Sequence, residues 1–234
     1  KLVGASPQQF PAHLMPDDDP HERLAHLRHK TDKALAGEVT GDPAFDALGL
    51  VAKECAIPPA WPRDLIQGFA MDADGFSPKD EAELLLYCYH VAGVVGLMMA
   101  AVMGVATDDD DTLRRANDLG LAFQLANIAR DVSEDAAAGR SYLPATWQTE
   151  GLALHDMTRR LAAMAAPYEA SARIGAARLP FRSRWAVLAA AGIYGDIARE
   201  VAKRGDAALK ERVVTTKSAK LGWVGRALVQ ALRN

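Results

Sequence analysis

The sequence is poor in cysteine and carries no excess of basic charge. Its two cysteines, Cys55 and Cys88, belong to no CxxC or Cys/His cluster. A zinc site of the usual ligand spacing is therefore excluded, and a reducing, cytoplasmic compartment is expected. The formal net charge is −3, whereas a nucleic-acid-binding domain presents a basic face. We therefore expect no nucleic-acid partner.

Long hydrophobic runs and β-strand patterns are missing as well. The longest apolar stretch, residues 91–106, has 16 residues, fewer than the roughly 20 that a membrane-spanning helix needs, so a buried helix is expected there. No segment alternates between polar and apolar residues as a half-buried strand does. Helical periodicity covers most of the chain instead, and half of the residues are hydrophobic, enough to form a core. The sequence predicts an all-α fold, with residues 1–234 in one domain of about eight helices.

Polar side chains form a stripe along the helix predicted for residues 110–139. Positions i, i+3, i+7 and i+11 of a helix share one face. Carboxylates at i and i+4 repel each other by about 0.2–0.5 kcal/mol, so a cation is expected beside Asp131 and Asp135. Mg²⁺ is the natural candidate because it favours carboxylates, water and substrate phosphates. The alternative is a solvated helix end, where the two acids pair with Arg130 and Arg140. The stripe consists of two amides and two carboxylates: Gln124, Asn127, Asp131 and Asp135.

A second informative helix carries glycines in its middle. Gly93 and Gly96 lie within residues 87–99, where each glycine costs about 1 kcal/mol relative to alanine. Glycines at such positions indicate either a close approach of two helices or room for a ligand. The apolar face from Tyr87 to Met98 therefore has two interpretations. It is either part of a packed core or the wall of a site for a greasy substrate with an anionic head.

Two long segments and three short ones match one known family in consistent order. They resemble the squalene/phytoene synthase family, specifically its bacterial phytoene synthases, from about residue 20 to residue 225. The resemblance implies a single α-helical isoprenoid-synthase domain, a bundle around a central cavity. The long segments are YCYHVAGVVGLMMA (residues 87–100) and DLGLAFQLANIARDVSEDAAAGRSYLP (residues 118–144), and the short ones are LIQGFAMD, RLPFRSRWAV and TTKSAKLG.

The resemblance also implies a reaction and a metal. Members of the family join two prenyl diphosphates head to head through a cyclopropylcarbinyl diphosphate. Two Asp-rich motifs hold Mg²⁺, with Mn²⁺ as a substitute, against the diphosphates. Asp131 and Asp135 match the second motif, so both are expected to bind metal and to be catalytic, with Asn127 as a further metal ligand. The allylic carbocation needs electrostatic stabilisation and a dry channel.

The other site residues implied by the resemblance fall into three groups. Gln124 and Asn127 match polar residues that flank diphosphate and metal. Arg130 and Tyr142 match positions near the phosphate end. Tyr194 matches a tyrosine near the reacting carbons, and we expect it to be catalytic. The hydrocarbon channel is matched by Tyr87, which we also expect to be catalytic, and by Val91, Ala92, Val95 and Gly96.

The function implied is that of a magnesium-dependent prenyltransferase of carotenoid biosynthesis. Its substrate is expected to be geranylgeranyl diphosphate and its product phytoene, for which no NADPH is needed. A squalene-forming relative needs a reductant such as NADPH. Two alternatives stay open: a C30 squalene-type or dehydrosqualene-type product, and a non-catalytic member that acts as a binding or assembly factor. The sequence does not predict an oligomeric state.

The first Asp-rich motif of the family is absent from the 234 residues. The acidic runs at residues 17–20 and 108–112 precede predicted helices, where acids ordinarily act as caps and offset the helix dipole. We expect the motif on helices upstream of Lys1, and we expect residues 1–234 to be inactive by themselves. Neutral residues in place of that motif would favour the binding-factor alternative.

The predicted C-terminal helix, residues 217–232, is amphipathic and basic. Leu221, Val224, Leu228 and Leu232 share one side of it, and lysines and arginines lie elsewhere. One interpretation is ordinary packing of a last helix. The other is peripheral contact with a membrane surface, which suits a lipophilic product.

Overall fold

The structure, a computed structural model, describes residues 19–233 and contains no strand among them, so the all-α prediction is confirmed. Residues 1–18, which the sequence analysis included in the domain, lie outside the described residues. One segment, Tyr89–Gly93, is a π-helix between two α-helices. The α-helices are α1 (Pro20–Leu35), α2 (Pro43–Glu54), α3 (Ala60–Ala73), α4 (Glu81–Cys88), α5 (Val94–Val102), α6 (Asp110–Ala137), α7 (Ala145–Thr149), α8 (Leu154–Ala176), α9 (Phe181–Arg204), α10 (Asp206–Lys210) and α11 (Lys217–Arg233).

Acidic side chains cap several of these helices. Asp109, within the acidic run at residues 108–112, accepts a hydrogen bond from the Thr112 amide and caps α6. α4 begins at Glu81, where Asp80 accepts from the Glu83 amide. Ser77 does not cap this helix, because Asp80 supplies the capping carboxylate one turn later.

Helix α6 is the central element of the bundle. The π-helix and α5 run antiparallel to it, since Gly120 lies against Ala92 and Ala116 against Gly96. α8 is antiparallel to α6 too, since Asp118 contacts Ser171 and Arg115 contacts Gly175. α9 packs against both α6 and α8. The burial of apolar side chains between these helices is the main source of the stability of the bundle. The side chains at the centre, which are at most 1% exposed, are Leu84, Leu125, Trp147, Leu161 and Val201.

The glycines of α5 and α6 allow their two backbones to touch. A Cβ atom added to Gly96 would lie 2.2 Å from the Ala116 carbonyl oxygen, and one added to Gly120 would lie 2.3 Å from that of Ala92. Of the two roles expected for such a glycine, Gly96 therefore has the first, which is to allow the close approach of two helices. The π-helix adjoins this crossing, and single-turn π segments of this kind are frequent at functional sites.

Among the described residues, the stretch Glu81–Val102 is long and apolar enough to cross a membrane by length and composition. The core helix of a folded bundle meets the same criteria, and here Val94 is fully buried while Met99 and Val102 are nearly half exposed. The burial expected for residues 91–106 therefore holds for one face of the helix.

Helix α11 packs on α9. Trp223 lies against Gly192, where an added Cβ atom would be 2.2 Å from the indole ring. Ala227 and Ala231 continue the buried face, while Leu221 and Leu232 are 72% and 70% exposed. The packing interpretation holds for one side of α11, and the leucine side stays largely open.

Candidate active site

A mainly apolar cavity of about 480 Å³ runs along α6, between the π-helix and α5 on one side and α8 and α9 on the other. Its size and lining are typical of small-molecule sites. Phe123 and Tyr194 stack with ring centroids 4.0 Å apart in its wall. Seven of the site residues implied by the sequence line the cavity: Val91, Ala92, Val95, Gly96, Gln124, Asn127 and Tyr194.

The polar end of the cavity is at the C-terminal half of α6. Gln124 and Asn127 are in the cavity wall, and the Asp131 and Asp135 carboxylates follow on the next turns of the helix. The opposite face of α6 packs into the core as expected, through residues such as Leu125, which is fully buried. One helix therefore joins an apolar channel to a carboxylate pair.

Asp131 is held by two arginines. Its Oδ1 accepts from the Arg130 Nε at 2.7 Å and from the Arg212 Nε at 3.0 Å, and its Oδ2 accepts from the other end of the Arg130 fork. Burial raises the pKa of Asp131, but the hydrogen bonds from Arg130 and Arg212 outweigh it, so the pKa lies below its usual value. Asp131 is an ionised acceptor at neutral pH.

Asp135 has a different environment. Burial raises its pKa, and the negative charges of Asp131, Glu134 and Asp72 raise it further, against the opposing charge of Arg140. Among the described residues, no cation lies within 4 Å of its carboxylate. The expected Asp131–Arg130 pair is present, whereas the expected Asp135–Arg140 contact is a weaker electrostatic one. Asp135 therefore lacks a close positive partner.

A third carboxylate, Asp72 on α3, was missed by the sequence analysis. Its Oδ1 accepts hydrogen bonds from the Tyr87 hydroxyl at 2.9 Å and the Tyr142 hydroxyl at 2.8 Å. The two tyrosine rings stack with centroids 4.8 Å apart. Tyr87 is only 3% exposed, and neither tyrosine is in the cavity wall. Tyr87 was expected to line the channel, but it lies in the core instead, where its hydroxyl donates a hydrogen bond to Asp72.

Arg212 also escaped the sequence analysis. It follows α10 and reaches the carboxylates of both Asp131, at 3.0 Å, and Glu134, at 3.2 Å. A signal for Asp72 exists in the sequence, since it ends the LIQGFAMD match, but nothing local marks Arg212 as part of the site.

Comparisons with known proteins identify this architecture. The profile of the squalene/phytoene synthase family matches residues 11–219. The chain belongs to the squalene/phytoene synthase family. Its relatives include the 15-cis-phytoene synthase of Paracoccus sp., 47% identical over 218 residues that span 89% of this chain and 71% of that protein. The 15-cis-phytoene synthase of Pantoea ananas is 47% identical over 226 residues, or 91% of this chain and 72% of that protein.

Solved structures of the family share the fold. A ligand-bound dehydrosqualene synthase superposes with a TM-score of 0.81 at 26% identity, covering 94% of this chain and 82% of that one. The squalene synthase HpnC of Alicyclobacillus acidocaldarius gives a TM-score of 0.71 at 25% identity, over 81% and 76% of the two chains. The expected isoprenoid-synthase fold and the prenyltransferase class of the enzyme are thereby confirmed.

Oxygen atoms that could hold a divalent cation lie on one face of α6 in the described part of the chain. They are the carboxylate oxygens of Asp131 and Asp135 and the amide oxygen of Asn127. No group of three or more His, Cys, Asp or Glu side chains arranged to hold a metal occurs among residues 19–233. Carboxylate, amide and phosphate oxygens are the ligands that Mg²⁺ prefers, so the donor set fits magnesium bound jointly with a diphosphate.

Proposed function

We propose that this protein is a 15-cis-phytoene synthase, which condenses two geranylgeranyl diphosphates head to head through a cyclopropylcarbinyl diphosphate. The observation that carries the proposal is the continuity of α6, which lines a mainly apolar cavity of about 480 Å³ as far as Asn127 and carries the carboxylates of Asp131 and Asp135 one and two turns further on. A prenyl diphosphate has the same two parts, an anionic head and a long apolar tail. The 47% identity to two 15-cis-phytoene synthases supports the same substrate.

The polar end would hold the head group. Asp131, Asp135 and Asn127 would bind Mg²⁺, which when bound neutralises the diphosphate and assists its departure. Arg130 and Arg212, both beside Asp131, would contact the phosphate oxygens of the head group. Gln124 would orient the reacting end of the chain by hydrogen bonding.

The cavity would protect the carbocation. Its wall is formed mostly by alkyl and aromatic side chains, and Phe123 and Tyr194 present a stacked pair of rings. Such rings stabilise cations through their faces, and an apolar wall excludes the water that would quench the cation. Asp72 would hold Tyr87 and Tyr142 in place beneath this region.

A C30 synthase is the second candidate, because a dehydrosqualene synthase has the same fold with a TM-score of 0.81. Its identity to this chain is 26%, against 47% for the phytoene synthases, so geranylgeranyl diphosphate is the substrate that we propose. The reaction to phytoene consumes no NADPH.

Product analysis tests the proposal. Full-length protein incubated with geranylgeranyl diphosphate and Mg²⁺ is expected to yield a C40 polyene that chromatography and mass spectrometry identify as 15-cis-phytoene. The same incubation with a chelator in excess over the metal is expected to give none. A C30 polyene from farnesyl diphosphate alone would correct the substrate. No product from either diphosphate, with folded protein, would contradict the proposal and favour the binding-factor alternative.

Contact with a membrane stays a prediction for α11. Residues 217–233 carry four basic side chains and no acidic one, and the exposed Leu221 and Leu232 suit an interfacial helix. Sedimentation of the protein with anionic lipid vesicles, but not with neutral ones, is the expected result for a cytoplasmic protein that binds at the membrane surface.

A further inference from the structure

The far end of the cavity, opposite the carboxylates, is lined by a charged side chain. Arg115 on α6 lines the cavity together with Thr112. The Arg115 side chain is 19% exposed, and its Nε donates to the Asp111 carboxylate at 3.1 Å. An arginine in a mainly apolar cavity forms a natural end to the apolar part, because a hydrocarbon chain cannot replace the hydrogen bonds of the guanidinium group.

The surroundings hold Arg115 in this position. A Cβ atom added to Gly175 on α8 would lie 2.7 Å from the Arg115 Cβ and 3.1 Å from its Cδ, so the absence of a side chain at Gly175 makes room for the arginine stem. Asp111, the partner of Arg115, also pairs with Arg114 at 2.6 Å and Arg178 at 3.0 Å. The end of the cavity is therefore a fixed ion network rather than a loose surface side chain.

The length of the cavity corresponds to a defined prenyl chain. α6 lines it from Asn127 to Thr112, which is about 22 Å along the axis at 1.5 Å per residue, or four helical turns. An extended isoprene unit, with four chain carbons, is about as long as one turn of about 5.4 Å. A chain of four units whose head lies at Asn127 therefore reaches the level of Arg115 and Thr112. A chain of three units ends about one turn earlier, near Ala116.

From this geometry we infer that Arg115 is the end wall of the prenyl channel and sets the accepted chain length at four isoprene units. The inference rests on the proposed function, since it assigns the tail of that same substrate. Chains of five units would have to displace the guanidinium group from Asp111. Chains of three units would leave the last turn of the channel unfilled and lose its apolar contacts.

Two substitutions move the end wall in opposite directions. Arg115→Ala removes it, so the ratio of kcat/KM for the five-unit diphosphate to that for the four-unit diphosphate is expected to rise about tenfold or more, the scale of discrimination in an apolar pocket. Ala116→Leu fills the channel at the last turn, and it is expected to shift the preference toward the three-unit diphosphate by a similar factor. Arg115→Lys keeps a long cationic side chain and is expected to retain the wild-type preference.

Arg114→Ala is the matched control. Arg114 pairs with the same carboxylate, Asp111, but is 56% exposed and does not line the cavity. Its loss weakens the ion network without opening the channel, so the chain-length preference should stay that of the wild type. Circular dichroism and thermal melts establish that each variant is folded.

Binding of non-hydrolysable thiolo-diphosphates with three, four and five isoprene units, measured by calorimetry, gives a readout that does not depend on turnover. Wild-type protein that binds none of them would overturn both the proposed function and this inference. If the wild-type protein makes phytoene but Arg115→Ala has an unchanged chain-length preference, the inference alone is overturned and the proposed function stands. If Arg115→Ala does not fold, Ala116→Leu decides in the same way: a shift toward three units supports the inference, and no shift overturns it.

Discussion

Replacing Asp131 and Asp135 together by asparagine is expected to lower the rate of product formation by on the order of a thousandfold or more. Both carboxylates follow Asn127, the last cavity-lining residue of α6, by one and two turns, and the two amides that would replace them cannot neutralise a divalent cation. Steady-state turnover of geranylgeranyl diphosphate at saturating Mg²⁺ measures the loss. Asparagine keeps the side-chain shape, so the fold should be unaffected apart from the weakened pairs of Asp131 with Arg130 and Arg212.

Glu134→Gln is the control for this pair. Glu134 lies between the two aspartates in sequence, and its side chain is 60% exposed. The substitution removes one negative charge from the same turn of α6 without removing a proposed metal ligand. The rate of product formation should therefore change by no more than a few-fold, because an exposed charge contributes little. A double aspartate variant as active as Glu134→Gln would mean that the carboxylate stripe is only a solvated helix end.

Gly120→Ala is expected to destabilise the protein by about 3 kcal/mol, at the upper end of the usual range for overpacking. The added Cβ atom would lie 2.3 Å from the Ala92 carbonyl oxygen and 2.7 Å from the Gly93 Cα. Both neighbours are backbone atoms, so no side chain can rotate away and the two helices must separate. Urea denaturation followed by circular dichroism measures the free energy of unfolding.

Gly225→Ala in α11 gives the reference for this experiment. Nothing lies within 4 Å of the position that its Cβ atom would take, and alanine is favoured over glycine inside a helix by about 1 kcal/mol. The free energy of unfolding should therefore stay the same or rise slightly. If Gly120→Ala were as stable as Gly225→Ala, the close packing of α5 on α6 would be wrong.

The polar stripe of α6 could be predicted from the sequence because it depends on residues a few positions apart in one helix, whereas the apolar channel was implied only by the family resemblance. The spacing of Gln124 and Asn127 places both on one face of the helix, and in the structure that face lines the cavity. The opposite face of α6 carries apolar residues at helical spacing, and there Leu125 is fully buried while Ala136, near the end of the helix, is exposed.

What could not be predicted depends on contacts between distant segments. Asp72 meets Tyr142 across 70 positions of sequence, and Arg212 meets Asp131 across 81. The depth of Tyr87 follows from its hydrogen bond to Asp72, which no periodicity shows. α7 and α10, of five residues each, are too short to give a helical pattern. The π-helix has the same apolar composition as the α-helices beside it.

The role of Arg115 was hidden for the same reason. In the sequence it is one of a pair of arginines after an acidic run, which reads as an ordinary solvated helix start. Only the absence of a side chain at Gly175, 60 positions later, gives it a place at the end of the cavity.

A crystal structure of the full-length protein with Mg²⁺ and the thiolo analogue of geranylgeranyl diphosphate tests the central claim most directly, because it shows head and tail at once. We expect the diphosphate and metal at Asp131 and Asp135, and the tail along α6 with its last isoprene unit against Arg115. A diphosphate bound away from this carboxylate pair, or a tail lying outside the cavity, would contradict the account.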